Sequence, residues 1–307
     1  MPNEINTQNA RQYTQLALFS LIFYSAIYLF NRLVTHYPGN NYIYYPFVGA
    51  FFSLALIHKG CSILFPETHP LRAGIQSSFF YSMVVLLMQI ACTAVQYTPF
   101  PPIDTHIVSL ERLVGIDLRD ILHWTMNAPA WVQATADMFY NILTREILLL
   151  PLLLIVLKQY HVVNRLSYLL LISAFIGLLI YYIFPTVGPA TTLQDPLFIK
   201  DQYATGLKFW QIHHGIAPTT SDGGLIAFPS FHVIWAFLYA LAFRPWPIAF
   251  MLMIAINACM IISCILLGWH YVTDVIGSIL VVIVTYHLYH TQQTRQTWRF
   301  LLPRMTI

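Results

Sequence analysis

Charge is what this chain has least of. Asp, Glu, Lys and Arg make up 9% of its 307 residues, against roughly 25% in an ordinary soluble globule. A soluble helical core of this size would still need a charged exterior, so the composition points to a protein whose solvent is largely lipid. The net charge of +3 is too small to suggest a nucleic-acid binder, and no basic patch with interleaved aromatics occurs. Cysteine is scarce as well. Cys61, Cys92, Cys259 and Cys264 lie in or beside apolar segments, at spacings that suit neither a zinc site nor a disulfide framework, and read as core or lipid-facing residues. The opening MPNEINTQNARQ has neither the basic stretch nor the small-residue cleavage site of a secretory signal, so the first apolar segment is expected to be retained. Internal repeats and low-complexity tracts are absent too.

What the chain has in abundance is long apolar runs. Eight segments, near 15–32, 42–58, 78–98, 131–157, 167–185, 229–244, 246–267 and 271–290, approach or reach the length of a membrane span, which takes about 20 residues. The second is short and Pro46 interrupts its start. The fourth carries Asp137, Arg145 and Glu146, so one of its faces must avoid lipid, either in a cavity or in an ion pair that joins helices. With the N-terminus in the cytoplasm, Arg11, Lys59, Arg72, Lys158, Arg165, Arg244, Arg295, Arg299 and Arg304 fall on the inner side. Arg32, Arg112, Arg119, Lys200 and Lys208 fall on the outer side. That excess of basic residues inside supports the orientation.

Two outer loops are long. In residues 99–130, after PFPPIDTHI, apolar positions recur at three and four residues with acids between them, the pattern of an interfacial amphipathic helix. Residues 186–228 begin in TVGPATT and end in TTSDGGLIAFPS, and their Gly, Pro, Ser and Thr content suits an ordered loop that lines a pocket.

Two stretches carry chemistry. In GWHYVTD, His270 and Asp274 are four apart at the start of the last span and share a helix face. A carboxylate there fixes the imidazole tautomer and leaves the other nitrogen free to attack, or the two form a satisfied polar pair inside the bundle. In AFPSFH, residues 227–232, His232 lies at the outer start of the sixth segment. The seventh segment crosses and returns, bringing His270 to the same level. One imidazole then serves as nucleophile and the other as general acid for a leaving oxygen.

FPSFH resembles the second signature of the type 2 phosphatidic acid phosphatase superfamily, usually Pro-Ser-Gly-His, and GWHYVTD resembles its third. The resemblance implies an all-α, polytopic membrane bundle of about eight transmembrane helices: an N-terminal hairpin over 1–77, a six-helix catalytic core over 78–290 and a cytoplasmic tail over 291–307. It implies His270 as the nucleophile that forms a phosphohistidine, Asp274 orienting it and His232 protonating the leaving group. Ser230 and the backbone near Phe231 would touch phosphoryl oxygens. Neither metal nor cofactor is implied.

The sequence departs from the pattern in two places. Ser263 and Cys264 stand where the third signature opens with Ser-Arg, so the phosphate-clamping Arg is missing. Lys158 and Arg165 have the spacing of the first signature, but Leu166 follows instead of Pro and both fall on the cytoplasmic side. Replacement cations on the outer side are Lys200, Lys208, Arg112 and Arg119, with Arg145 if it faces a cavity. Of the loop residues, His213 and His214 in WQIHHGIAP contact a head group or pack the loop. Asp222 in TSDGG binds a head group or caps a turn, and TVGPA supplies backbone donors to phosphate or simply turns the chain.

YYIFPTVGPA, the bulky Phe231 before His232, and LLGWHYVTD without the Arg are similar to the inositolphosphorylceramide synthase branch. That resemblance implies an integral membrane phosphotransferase with its site on the non-cytoplasmic face. It would move a phosphorylated head group from a phospholipid to a lipid alcohol. The alternatives are a phosphatase releasing phosphate from phosphatidic acid or a related lipid phosphate, a transporter, and an inactive structural relative.

Overall fold

The computed structural model describes residues 2–39 and 42–301, and all regular structure among them is helical. Helix α1 (Pro2–Phe30) runs on into a wider turn at Asn31–Thr35 and is followed by α2 (Tyr45–Leu64) and α3 (Pro70–Val95). Between α3 and the next span lie α4 (Asp104–Leu113) and α5 (Leu118–Asn127). Then come α6 (Ala130–Tyr140), α7 (Ile142–Val156) and α8 (Tyr160–Ile183). The second long loop holds α9 (Pro189–Leu193) and α10 (Lys200–His213). The chain closes with α11 (Phe231–Ala242), α12 (Pro247–Leu266) and α13 (Val272–Leu301). Pro46, Pro70, Pro189 and Pro247 each occupy a first helical turn, where the missing N–H costs nothing.

Among the described residues, seven helical stretches are long and apolar enough to cross a membrane, and the protein is an integral, multi-pass membrane protein. The eighth expected segment, α11, has 12 residues, a rise of about 18 Å where the hydrocarbon layer is about 30 Å thick. The fourth segment is two helices, α6 and α7, which break at Asn141 and together make the candidate span Ala130–Val156. The described part of the expected C-terminal tail, 291–301, continues α13 as helix; residues 302–307, with Arg304, lie outside the described residues.

Helix α8 is the axis of the bundle. Most of its span is buried, and it packs against α3, α7, α11, α13 and α1. The N-terminal helices attach through α3: Tyr13 and Ala17 of α1 join the main hydrophobic core, whereas α2 buries only Cys61 among its residues. Loops gather at the end of the bundle where α3 and α8 finish. There Asn31 Nδ2 donates to the Ala94 and Tyr97 carbonyls, Ile103 N–H donates to the Pro185 carbonyl, and Thr98 Oγ1 donates to the Tyr182 carbonyl.

The expected amphipathic helix of the first long loop is two short helices, separated at Gly115, whose φ of +79° favours glycine. The acids of α4 are not on a solvent face. Asp104, Ile107 and Glu111 recur at three and four residues and are all buried against the protein.

Candidate active site

Two loops at the gathered end meet face to face. The first, 227–230, leads into α11, where Ser230 accepts from Val233 N–H across the first turn as an N-cap. Two aromatic rings lock this segment to its neighbours. Phe228 lies over Gly277 of α13 and Phe231 over Gly177 of α8. A Cβ at either glycine would come within 2.3 and 2.7 Å of those rings, so both positions need the missing side chain. The second loop, 267–271, turns through Gly268 (φ +71°) and delivers His270 two residues before α13 begins.

His270 is buried and held at three points. Its Nδ1 lies 3.2 Å from Asp274 Oδ2 and 3.1 Å from the Ala227 carbonyl oxygen, and its Nε2 lies 3.1 Å from Ser230 Oγ. Both neighbours of Nδ1 are acceptors, so that nitrogen carries the proton and Nε2 keeps its lone pair, to which the Ser230 hydroxyl donates. Burial pushes the His270 pKa down, with the Ala227 carbonyl opposing the shift, and the ring is neutral at pH 7. Asp274 Oδ2 also accepts from Tyr271 N–H at 2.9 Å, which fixes the carboxylate within its own turn. Ser278, one turn further along α13, accepts from Ser230 N–H at 2.8 Å and ties the two loops together. Spacing alone could have found Ser278, since it lies four residues after Asp274.

His232 faces His270 across 5.7 Å between ring centroids, at 61°. The two histidines line an open cleft of about 420 Å³ whose other walls are the 187–190 turn, α10, the 224–227 segment and the 268–270 loop. Tyr140, which no sequence signal marked, lines it too and stacks on both His232 and Trp269. Among the described residues lining this cleft there is no Lys, Arg, Asp or Glu. Among the described residues, no group of three or more His, Cys, Asp or Glu side chains is placed to hold a metal ion.

Apart from the 187–190 turn of TVGPA, the other sequence candidates lie outside the cleft lining. Ser230 is fully buried behind His270, and Phe231 spends its bulk on Gly177 and an edge-on contact with Trp235. His214 turns its Nδ1 to the Trp210 carbonyl and stacks on that indole. His213 is held between the Phe209 and Thr98 carbonyls. Asp222 sits 3.9 Å from Lys200 at the surface. Lys208 is buried behind the cleft wall, donating to the Gly223 carbonyl at 3.2 Å and Tyr42 Oη at 3.4 Å, and desolvation lowers its pKa. Arg112 pairs with Asp117, Arg119 donates to the Leu193 carbonyl, and Arg145 is exposed. Cys264, in the place of the expected Arg, is fully buried against Met260. Arg165 lies about 27 Å along α8 from its Ile183 end, and Lys158 precedes that helix, so neither approaches the cleft. The Val187 and Gly188 N–H groups of TVGPA are not free donors: both are taken by the Asp104 carboxylate at 2.9 Å.

Fold and site together define a multi-pass helical membrane protein with a buried His–Asp pair opposite a second histidine in a cleft at one end of the bundle. The model of the PAP2 superfamily matches residues 105–288, more than half of the chain, and the protein belongs to that superfamily, the phosphatidic acid phosphatases of type 2. Comparison with curated proteins and with solved structures gave no match.

Proposed function

We propose that the protein is a lipid phosphotransferase that works through a phosphohistidine on His270 and moves a phosphorylated head group from a phospholipid to a lipid alcohol, in the manner of the inositolphosphorylceramide synthases. The observation that carries the reading is His270: Nδ1 anchored on Asp274 and Ala227, Nε2 beside the Ser230 hydroxyl, and the residue itself on the wall of the cleft that also holds His232. In the first step the Ser230 hydroxyl turns from Nε2 to a phosphoryl oxygen, and the freed Nε2 lone pair bonds to phosphorus. The bond from phosphorus to the glycerol oxygen breaks, and His232 donates a proton to that oxygen, releasing diacylglycerol. In the second step the acceptor hydroxyl attacks phosphorus and the P–N bond breaks. His232 takes the hydroxyl proton, which restores both histidines. Asp274 keeps Nδ1–H oriented and stabilises the ring while it carries the phosphoryl group. The reaction calls on no metal or cofactor.

The lining of the cleft favours transfer over hydrolysis of a monoester. Phosphoryl oxygens are ordinarily met by Arg or Lys, and here neither lines the wall. A phosphodiester donor carries one negative charge and a phosphate monoester close to two at neutral pH, so the diester asks less of a cation-free site. The hydrolytic reading shares the first step and differs only in water as acceptor. The distribution of Lys and Arg supports reading the cleft as open to the non-cytoplasmic face.

The test supplies purified protein with a phosphatidylinositol donor, with and without a long-chain lipid alcohol, and separately with phosphatidic acid. A new phosphodiester lipid and free diacylglycerol are expected from the first, with little inorganic phosphate from the second. Phosphate release from phosphatidic acid as the main product would replace the transferase by the phosphatase. Undiminished turnover by His270→Ala would remove the nucleophile.

A further inference from the structure

The two histidines of the cleft are held by different means. His270 has three hydrogen-bonding neighbours. Among the described residues His232 has no hydrogen bond to another protein group, and what surrounds its imidazole is aromatic. The Tyr140 ring lies parallel to it at 4.9 Å and 23°, and His270 meets it edge-on at 5.7 Å. Tyr140 is itself backed by Trp269, parallel at 5.2 Å and 11°. Three rings, Trp269, Tyr140 and His232, thus form one continuous stack along the cleft wall. The stack starts on the residue next to His270, so it spans from one histidine's backbone to the other's ring.

A largely buried imidazole on a cleft wall, with no hydrogen bond, is free to turn about two side-chain torsions unless packing stops it. Among the described residues, the ring that lies face to face with it is Tyr140. A ring face also suits the protonated imidazole, because its negative quadrupole attracts a cation, most strongly where water is scarce. Local sequence explains the placement. Tyr140 is the last residue of α6, and the break at Asn141 separates it from the α7 turn that would otherwise continue the helix.

We infer that Tyr140, backed by Trp269, is the positioning residue that holds His232 in the orientation from which it protonates the leaving oxygen. The inference rests on reading His232 as the general acid of the proposed transfer. Its consequence is selective. A general acid matters most for a poor leaving group such as an alkoxide and little for one that departs unassisted, such as p-nitrophenolate. A residue needed only for the fold would harm both alike.

The experiment compares two donors with the purified full-length protein, one with a glyceryl leaving group and one with p-nitrophenyl in its place. Tyr140→Leu is expected to slow the glyceryl donor on the order of 10- to 100-fold, a milder form of the loss in His232→Ala, while the p-nitrophenyl donor slows by no more than about 3-fold. Tyr140→Phe, which keeps the stack and loses only the hydroxyl, is expected to recover most of the rate that Leu forfeits. The near-intact p-nitrophenyl rate doubles as evidence that the variant is folded. If Leu cannot be recovered folded, Tyr140→Met removes the flat ring in its place. Equal slowing of both donors, no slowing of either, or a Phe variant as poor as Leu would overturn the inference. Undiminished turnover of both donors by His270→Ala would overturn the phosphotransfer reading and this inference with it. An inactive His270→Ala beside non-selective Tyr140 variants would sink only the role of Tyr140.

Discussion

Phe231 shows how a residue can be seen in the sequence while its packing partner is not. Bulk before His232 reads as a likeness to the inositolphosphorylceramide synthase branch. In the structure that bulk fills the notch left by Gly177, on a helix distant in sequence, and only tertiary packing reveals the partner. The motif histidines were legible for the opposite reason. His270 and Asp274 are only four residues apart, His270 in the loop and Asp274 in the first turn of α13, so their meeting needs only local chain geometry and no knowledge of the rest of the fold. A Cβ at residue 177 would sit 2.7 Å from the tip of the Phe231 ring and 3.3 Å from a neighbouring ring carbon. Gly177→Ala is expected to destabilise by about 1–3 kcal/mol through overpacking and to shift α11, carrying His232 with it. Melting in detergent should show the loss. Phe231→Leu in the Gly177→Ala background should cost less than the sum of the two single changes, because the smaller side chain vacates the contested space. Strict additivity would mean that the ring and the glycine are not coupled.

At the scale of elements, α4 shows where periodicity succeeds and where it stops. Spacing by three and four marked a helix with one protected face, but the assumption that acids belong to the other face failed. Asp104 and Glu111 are the polar members of the buried side because each has backbone to satisfy. Glu111 accepts from Thr273 N–H at the start of α13 at 2.6 Å. Asp104 accepts from Val187 N–H, Gly188 N–H and the Tyr271 hydroxyl. One short helix thereby clamps the cleft turn to the His270 loop. Burial lifts the Asp104 carboxyl from its ordinary 3.8 to about 6, outweighing those three hydrogen bonds. A carboxyl whose folded pKa is raised favours the folded state fully while protonated, below about pH 4, and that contribution is lost as pH rises through about 6. The change amounts to about 3 kcal/mol. The depressed His270 pKa acts with the opposite sign in the same range, so the informative quantity is a difference. The stability of the parent minus that of Asp104→Asn should fall between pH 4 and 6 and level off above it. A difference that stays flat would show that Asp104 is ionised throughout.

At the scale of the whole molecule, composition was enough for the class, because it follows from what lipid tolerates, and the placement of Lys and Arg supports the proposed orientation. The existence of the spans was therefore legible to within one element, and α11 was the one whose length the apolar run overstated, since its first residues form the loop before His232 rather than helix. The cleft's walls were not legible. They are built from four segments that share no local pattern, and Tyr140 enters only because α6 happens to end there. The orientation has a direct consequence at the two ends of the bundle. Asp222 is exposed at the cleft end, and Lys158 is exposed at the α7–α8 turn beyond the far end of α8. If the cleft opens to the non-cytoplasmic side, a cysteine at 222 reacts with a membrane-impermeant maleimide in intact cells. A cysteine at 158 reacts only after the membrane is breached. Cys259, the one native cysteine exposed on the bundle, is replaced by Ser in both, so that labelling reports the introduced thiol alone. Labelling at 158 before permeabilisation, with 222 protected, would turn the molecule over. The lipids reacting at His270 would then be those of the cytoplasmic leaflet.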